Sequence, residues 1–582
     1  MSNVRGASGH RFAGDRREIG ERETRPMPTS GPSSNLLSRL APDQRAAATA
    51  PPGPVLCIAP AGSGKTTTLV ARVAWLIDGG ADPGSITVIA FNRRAAEELS
   101  GRLDAVLGPE RRPSGTVRVR TFHALGREIL REAGHAVEPL VDRGSLLARL
   151  RPAWSAAERR RLDTAISRLK LDLRADPKAV ARDPEAGPIA RAFVDYDRAV
   201  GQTGGLDFDD LIARALLLLE DDADLRASWR ARSAHLLVDE AQDLDRSQLD
   251  LALLLAAPGN NIFLVGDDDQ SIYGWRLADV RRVLSLASAL PGLRRVDLTV
   301  NYRCPAPVID RAVRLVEHNA ERFGKTVRPG PTASGRLLLA PSPADPRRRT
   351  HALLDRWGSD DAEGTLAILA RTNRELEPAA VACVAAGQPF RSSGLRLIVE
   401  SPIVDQVLEC ASERTDPTQP LLLRIGRVQA MTASPGEAVD GDGRDDDQLT
   451  ESEVAQTILG WAAGYPDLQS LTASVAAFRA RLAELAAGDA RLTLATAHGT
   501  KGLEFDHVAV LSMDATSFPN AKAIIDANEP ERALEEERRL AYVAWTRARR
   551  SLTLAYDPDA PSPFMLEAFD PAELGLDYDG VR

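Results

Sequence analysis

From about Pro54 onward, short apolar runs alternate with longer stretches of helical periodicity. Residues 55–58, 86–91, 117–121, 235–238 and 262–265 are rich in Val, Ile, Leu and Phe, and they read as strands. They show little polar alternation, which predicts strands buried in a parallel sheet and joined by covering helices, a βαβ pattern. Between Gly126 and Gly201 the strand signal stops, and Arg-, Leu- and Ala-rich helical runs predict an all-helical insertion. A second strand series follows Pro305, at 337–340, 366–370, 492–496, 508–511 and 552–555. Residues of roughly 396–489 split it and read as mainly helical. Residues 1–34 are rich in Arg, Gly, Ser, Pro and Glu with almost no apolar periodicity, and read as a disordered tail.

Composition narrows the class. At 582 residues the chain is too long for one core, and 43% hydrophobic with 27% charged residues is ordinary for a globular protein. The net charge of −9 does not advertise nucleic-acid binding, but a basic groove can sit under an acidic total. Cys57, Cys304, Cys383 and Cys410 are scattered without a CxxC pair, so they support neither a zinc site nor an iron–sulfur cluster and fit reduced thiols. The acidic stretch 434–453 carries Asp440, Asp442, Asp445, Asp446 and Asp447. Arg444 falls where a calcium loop needs its third ligand, so a solvated loop is expected. No apolar run approaches membrane-spanning length and the N-terminus has no hydrophobic signal region, so a cytoplasmic protein without membrane contact is expected.

The chemistry begins at Ala59-Pro60-Ala61-Gly62-Ser63-Gly64-Lys65-Thr66, between the first strand and a helix. This is a phosphate-binding loop. Its glycines let backbone N–H groups close on phosphate oxygens, Lys65 offers charge to the β and γ phosphates, and Thr66 offers a hydroxyl to Mg²⁺. The helix directs its positive end at the anion. The run 236–243, Leu-Leu-Val-Asp-Glu-Ala-Gln-Asp, ends a strand in carboxylates, where a parallel sheet places its ligand. Asp239 suits Mg²⁺, and Glu240 suits proton abstraction from the attacking water. Next, Gln270 lies just past a strand end, where it can orient water or sense the γ-phosphate. Tyr273 and Trp275 in the same polar loop suit base stacking.

In this order, the motifs resemble those of superfamily 1 helicases of the UvrD/Rep/PcrA family, and the likeness covers nearly all of residues 40–555. Leu40-Ala41-Pro42-Asp43-Gln44 is similar to the adenine-reading motif, with Gln44 as the contact. Segments 90–98, with Phe91, and 121–123, with His123, resemble DNA-contacting elements of the first domain. Asn301-Tyr302-Arg303 resembles the element in which Tyr302 stacks on adenine and Arg303 reaches the γ-phosphate. Segment 370–373 resembles a DNA-contacting strand end, with Arg371. Segment 496–505 resembles the motif linking DNA, through His498, to ribose, through Glu504. Segment 537–548 resembles the last motif, with Arg547 as second arginine finger.

The resemblance implies an α/β fold of two RecA-like P-loop motor domains with parallel sheets, each carrying a mainly helical insertion. Expected boundaries are a tail at 1–35, a first domain at 36–126 and 201–304 with its insertion at 127–200, a second domain at 305–395 and 490–560 with a short insertion at 396–489, and a C-terminal tail at 561–582. It implies an ATP- and Mg²⁺-dependent DNA helicase moving 3′ to 5′ on single-stranded and tailed duplex DNA, in repair or recombination. The alternative is a translocase that strips proteins, or the motor of a nuclease or phage-defence assembly, with little unwinding alone. Catalysis would fall to Lys65, Glu240, Gln270, Arg303 and Arg547. Ala59–Thr67, Gln44, Tyr302 and Glu504 would hold ATP, Thr66 and Asp239 the metal, and Phe91, His123, Tyr273, Trp275, Arg371 and His498 the DNA. Ala59 is common in the family where the strict loop has Gly. Thr67 stands where relatives often carry Arg beside adenine, and Arg93-Arg94 replace the usual Asn-Lys. The short second insertion and the chain's end soon after the last motif suggest a compact member, with no room for a nuclease domain, an HRDC domain or a long docking tail.

Overall fold

The computed structural model describes residues 32–108, 116–331, 333–341, 346–361, 363–392, 395, 397–432 and 451–576. Residues 1–31 of the expected tail, and 434–450 of the acidic stretch, lie outside the described residues.

The first sheet has six strands: β1 (Val55–Ile58), β2 (Ile86–Ile89), β3 (Arg118–Arg120), β4 (His235–Val238), β5 (Ile262–Gly266) and β6 (Arg294–Asp297), in the order β3-β2-β4-β5-β1-β6. All pairs are parallel. β1, β2 and β5 are buried along their whole length, which is why their sequences are continuous apolar runs. β6, Arg-Arg-Val-Asp, gave no hydrophobic signal because it is a half-exposed edge. Register matters most at the C-terminal ends. Ile58 is opposite Gly266 and Val238 is opposite Leu264, so the segments after β1, β4 and β5 leave the sheet side by side.

A short parallel pair, β7 (Val300–Asn301) with β8 (Arg328–Pro329), marks the passage to the second domain. There β9 (Arg336–Pro341), β10 (Leu366–Ala370), β11 (Phe390–Ser392), β12 (Leu492–Thr496), β13 (Phe505–Val510) and β14 (Ala548–Tyr556) form a second all-parallel sheet, ordered β11-β12-β10-β13-β14-β9.

Both insertions are helical. The first contains Arg143–Leu150, Ala156–Ser167, Pro177–Arg182 and Pro188–Gln202, with one π-helical turn at Arg168–Asp172. That turn carries Lys170 inward, 2.8 Å from Asp207 and 2.9 Å from Asp210, while the Tyr196 hydroxyl donates to Asp207 at 2.8 Å. Arg143 pairs with Asp207 and Asp209 at 2.8 and 2.6 Å. Charges this buried persist only when so thoroughly paired, and losing one partner typically costs about 3–5 kcal/mol. The network fixes the insertion to the first domain.

The second insertion's helices, Pro402–Arg414, Leu421–Thr432, Glu451–Ala462 and Leu468–Leu485, share one apolar cluster with the second sheet. The stretch 561–576, expected as tail, is instead packed. Helix Pro563–Ala568 buries Phe564, Met565 and Ala568, and Phe569 and Leu574 join the core beside Tyr542 and Trp545. Cys57, Cys304 and Cys383 are buried free thiols and Cys410 is half-buried. Among the described residues no helix is long and apolar enough to cross a membrane.

Candidate nucleotide and nucleic-acid site

The phosphate loop closes between β1 and helix Lys65–Asp78. Gly62 and Gly64 have φ of 65° and 85°, the left-handed region that favours glycine. A Cβ at Gly62 would stand 2.7 Å from Arg303 Cβ, and one at Gly64 would stand 2.6 Å from Gln44 Nε2. The loop is braced from outside: the Asn301 amide donates to Ala61 O at 2.6 Å, Tyr302 N donates to Gly62 O at 2.9 Å, and Ala61 N donates to Asp267 Oδ2 at 3.0 Å. The Gln44 amide donates to Ser63 O at 2.8 Å, so the residue expected at the adenine also supports the loop from behind. Ala59 is buried in β1's extension, its N–H on Gly266 O at 2.8 Å. Tyr302 is 47% exposed, leaving its ring accessible beside the loop.

Lys65 reaches across to Glu240 at 3.1 Å. Glu240 has φ 50°, an uncommon value for a non-glycine residue, and its carboxylate also accepts from the Gln242 amide at 2.6 Å. Burial works against the Glu240 charge, but Lys65 and Lys501 outweigh it and hold the carboxyl below its usual range. Burial and the neighbouring Glu240 push Asp239 the other way, above the usual carboxylate range. A cation beside Asp239 would remove that penalty. Among the described residues no group of three or more His, Cys, Asp or Glu could hold a metal, so these residues offer no closed cage. That donor set fits Mg²⁺, which binds through one or two protein oxygens and completes its shell with phosphate and water. Thr66 and Asp239 would hold the ion, which would supply charge neutralisation on phosphate oxygens.

The opposite wall comes from the second domain. Arg547 is buried, donating to Val543 O at 2.8 Å, Leu503 O at 3.2 Å and, across the domains, Gln270 Oε1 at 3.3 Å. Burial, then the nearby Arg303, lowers it to about 10, still cationic at neutral pH. Arg303 pairs with Glu504 at 2.7 Å and donates to Thr546 O at 3.3 Å. Lys501 also crosses the domains, with its ammonium on Asp243 and on Gln270 O at 2.6 Å.

An aromatic groove opens on the far side of the same loops. Phe91 and Tyr273 stack with centroids 5.2 Å apart, Trp275 meets Tyr273 edge-on at 6.1 Å, and Arg276 lies 4.5 Å over the Trp275 ring. Lys501 sits 4.9 Å over Tyr273. His123 stacks at 3.8 Å on Phe208, which is 56% exposed. Phe91, His123, Phe208, Tyr273, Trp275 and Arg276 line a cleft of about 570 Å³. It meets a second cleft of about 1030 Å³ at Trp275, and there Arg371, His498 and insertion residues Arg161 and Arg168 form the walls. Burial lowers His123 to about 4, and burial with Arg371 and Lys501 lowers His498 to about 3, so both rings are neutral at physiological pH. Arg371 is held on Glu537 by contacts of 2.7–2.9 Å. It therefore reaches the groove wall as half of an ion pair.

Residues 40–291 match the UvrD/REP helicase N-terminal domain, and residues 461–558 match the UvrD-like helicase C-terminal domain. The chain belongs to the UvrD/Rep helicase family. It is 29% identical to DNA helicase II of Escherichia coli, over 90% of this chain and 85% of that protein. It is 27% identical to ATP-dependent DNA helicase PcrA of Staphylococcus epidermidis, over 89% and 83% respectively. Within this UvrD/Rep chain the structure adds residues that motif reading missed. Phe208 stood in an acidic run and carried no periodic signal, and Arg161 and Arg168 looked like ordinary helix-surface charge. Asp43, next to Gln44 in the sequence, accepts through Oδ2 from both the Thr299 N–H and its hydroxyl, at 2.8 and 3.1 Å.

Trp275, 41% exposed between the two clefts, gives this UvrD/Rep groove its most direct test. Trp275→Ala is expected to weaken oligonucleotide binding by about 1–3 kcal/mol, measured by fluorescence anisotropy. Unchanged affinity would remove the groove from the DNA path.

Proposed function

We propose that the chain is an ATP-dependent DNA helicase that moves 3′ to 5′ along single-stranded DNA, acting in the cytoplasm in repair or recombination. The observation that carries this reading is the loop after β5. Gln270 faces Arg547 across the nucleotide cleft at 3.3 Å, and three residues later Tyr273 stacks on Phe91 in the groove. One loop thus joins the chemistry to the track, so closing Arg547 on a phosphate moves the stacking platform. ATP would lie on the loop 59–66, with Lys65 on its terminal phosphates and Tyr302 against the base. Glu240 would take the proton of the attacking water. Arg303 and Arg547 would stabilise transition-state charge, which makes hydrolysis depend on domain closure. Stacking tolerates any base, as a motor on arbitrary sequence requires.

Hydrolysis is expected to rise at least about tenfold when single-stranded DNA occupies the groove, because the bound strand favours the closed arrangement. A phosphate-release assay with and without oligonucleotide checks this, and hydrolysis indifferent to DNA would end the motor reading. Strand displacement on 3′-tailed, 5′-tailed and blunt duplexes tests polarity, with activity expected on the 3′ tail. The second reading is a protein-stripping translocase or the motor of a nuclease or defence assembly, and the short insertion at 396–489 favours it. DNA-stimulated hydrolysis without strand displacement would select that alternative.

A further inference from the structure

Three consecutive aspartates, Asp267, Asp268 and Asp269, follow β5 and are buried. Their countercharge comes from outside every motif. Lys325 Nζ lies 2.7 Å from Asp267 Oδ1, 2.6 Å from Asp268 Oδ1 and 2.9 Å from Asp269 Oδ2, and its side chain is 1% exposed. Arg322 adds a two-pronged pair to Asp269 at 3.0 and 2.9 Å, and Phe323 N donates to Asp268 at 2.8 Å. Burial opposes the Lys325 charge, but the three carboxylates outweigh it and raise the ammonium well above its ordinary range.

Asp267 is where this cluster touches the reaction. One oxygen is taken by Lys325. The other accepts both from the phosphate-loop N–H of Ala61, at 3.0 Å, and from Gln270 Nε2, at 2.7 Å. With the Gln270 amide nitrogen committed there, its carbonyl oxygen faces Arg547. The Gln270 orientation is therefore set by Asp267, and Asp267 by Lys325.

The segment carrying Lys325 is anchored at its other end to the helix that leads to Arg547. Ala320 N donates to Glu535 Oε1 at 2.7 Å, Arg539 donates to Glu321 O at 2.7 Å, Arg538 donates to Asn319 Oδ1 at 2.5 Å, and Arg532 pairs with Glu321 at 3.0 Å. All four partners lie on Pro530–Trp545, which ends two residues before Arg547.

We propose that Lys325 is a positioning residue for hydrolysis: residues 319–325 form a strap that, in the closed arrangement, holds Asp267, and through it Gln270, in register with the helix bearing Arg547. The strap completes the pairing of the γ-phosphate sensor with the arginine finger as the two domains close. This rests on the proposed function above. A buried lysine serving three carboxylates could be purely structural, so the test separates the two roles.

Lys325→Met is expected to lower kcat about 10–100-fold per folded molecule, the scale of a misplacement of about 1 Å, while affinities for a non-hydrolysable ATP analogue and for single-stranded DNA change less than about threefold. Arg322→Gln, which leaves Lys325 in place, is expected to move kcat in the same direction by about 3–10-fold. The deciding measurement is a double-mutant cycle. With Gln270→Ala in place, adding Lys325→Met should lower the residual rate by less than about twofold, because the group it positions is gone. If Lys325→Met does not fold, Arg322→Gln replaces it in the cycle. A full multiplicative loss in the Gln270→Ala background, or a wild-type kcat per folded molecule in both strap variants, overturns the proposal. A parent protein without DNA-stimulated hydrolysis would instead overturn the functional reading, so the two failures are distinct.

Discussion

Glu240→Gln is expected to lower kcat for ATP hydrolysis by about 10²–10⁴-fold, with single-stranded DNA affinity within a few-fold of the parent. The substitution keeps the shape of the side chain and removes only its capacity to accept a proton. The environment argues for a base. Glu240 is kept ionised beside Lys65 and Lys501, and its left-handed backbone, with the 2.6 Å contact from Gln242, fixes where the carboxylate points. Lys65 serves Glu240 at 3.1 Å, and a terminal phosphate competes for that ammonium. As Lys65 turns to phosphate it screens Glu240 less, and the carboxylate becomes a stronger base when substrate arrives. Steady-state hydrolysis and anisotropy on one oligonucleotide measure both halves of the prediction. Turnover within about threefold of the parent would assign the proton to another group.

Arg547→Ala should cost more, about 10³–10⁵-fold in the hydrolysis step, the range for a removed arginine finger. Arg547→Lys is the sharper probe, with an expected loss of at least about 10²-fold, because the fork rather than the charge does the positioning. The guanidinium spreads its donors over Val543 O, Leu503 O and Gln270 Oε1, and one ammonium cannot reach all three. Single-turnover hydrolysis isolates this step, and binding of a fluorescent ATP analogue should move only a few-fold. A lysine variant that hydrolyses at the parental rate would show that charge alone suffices.

Much of this architecture is legible in the chain, for reasons that vary by element. β1 and β10 match the sequence reading residue for residue because a strand covered on both faces must be continuously apolar, and a short apolar run between turn residues has few other solutions. β6 and β11 escaped because polar edge strands carry no such signature. The nucleotide loop was readable because local backbone geometry dictates glycine there. Pairings made through space were not. Nothing near Arg371 announces Glu537, 166 residues away, and nothing around Lys325 marks it as the countercharge of Asp267–Asp269. The packed stretch after Ser562 was missed because a six-residue helix with one aromatic, Phe564, is too short for periodicity to register.

The order of strands in the second sheet has a consequence for synthesis. Among the described residues β9 pairs only with β14, and β14 lies about 200 residues further along the chain. At ribosomal speeds of about 5–20 residues per second, β9 waits roughly 10–40 seconds for its partner. The first sheet has every strand in hand by Asp297 and can close while the rest is still being made. The nascent second domain meanwhile carries an open strand edge, a template for wrong pairing. The half of the motor that supplies Arg547 is thus the half most exposed to misfolding at birth, and the one for which a chaperone would matter.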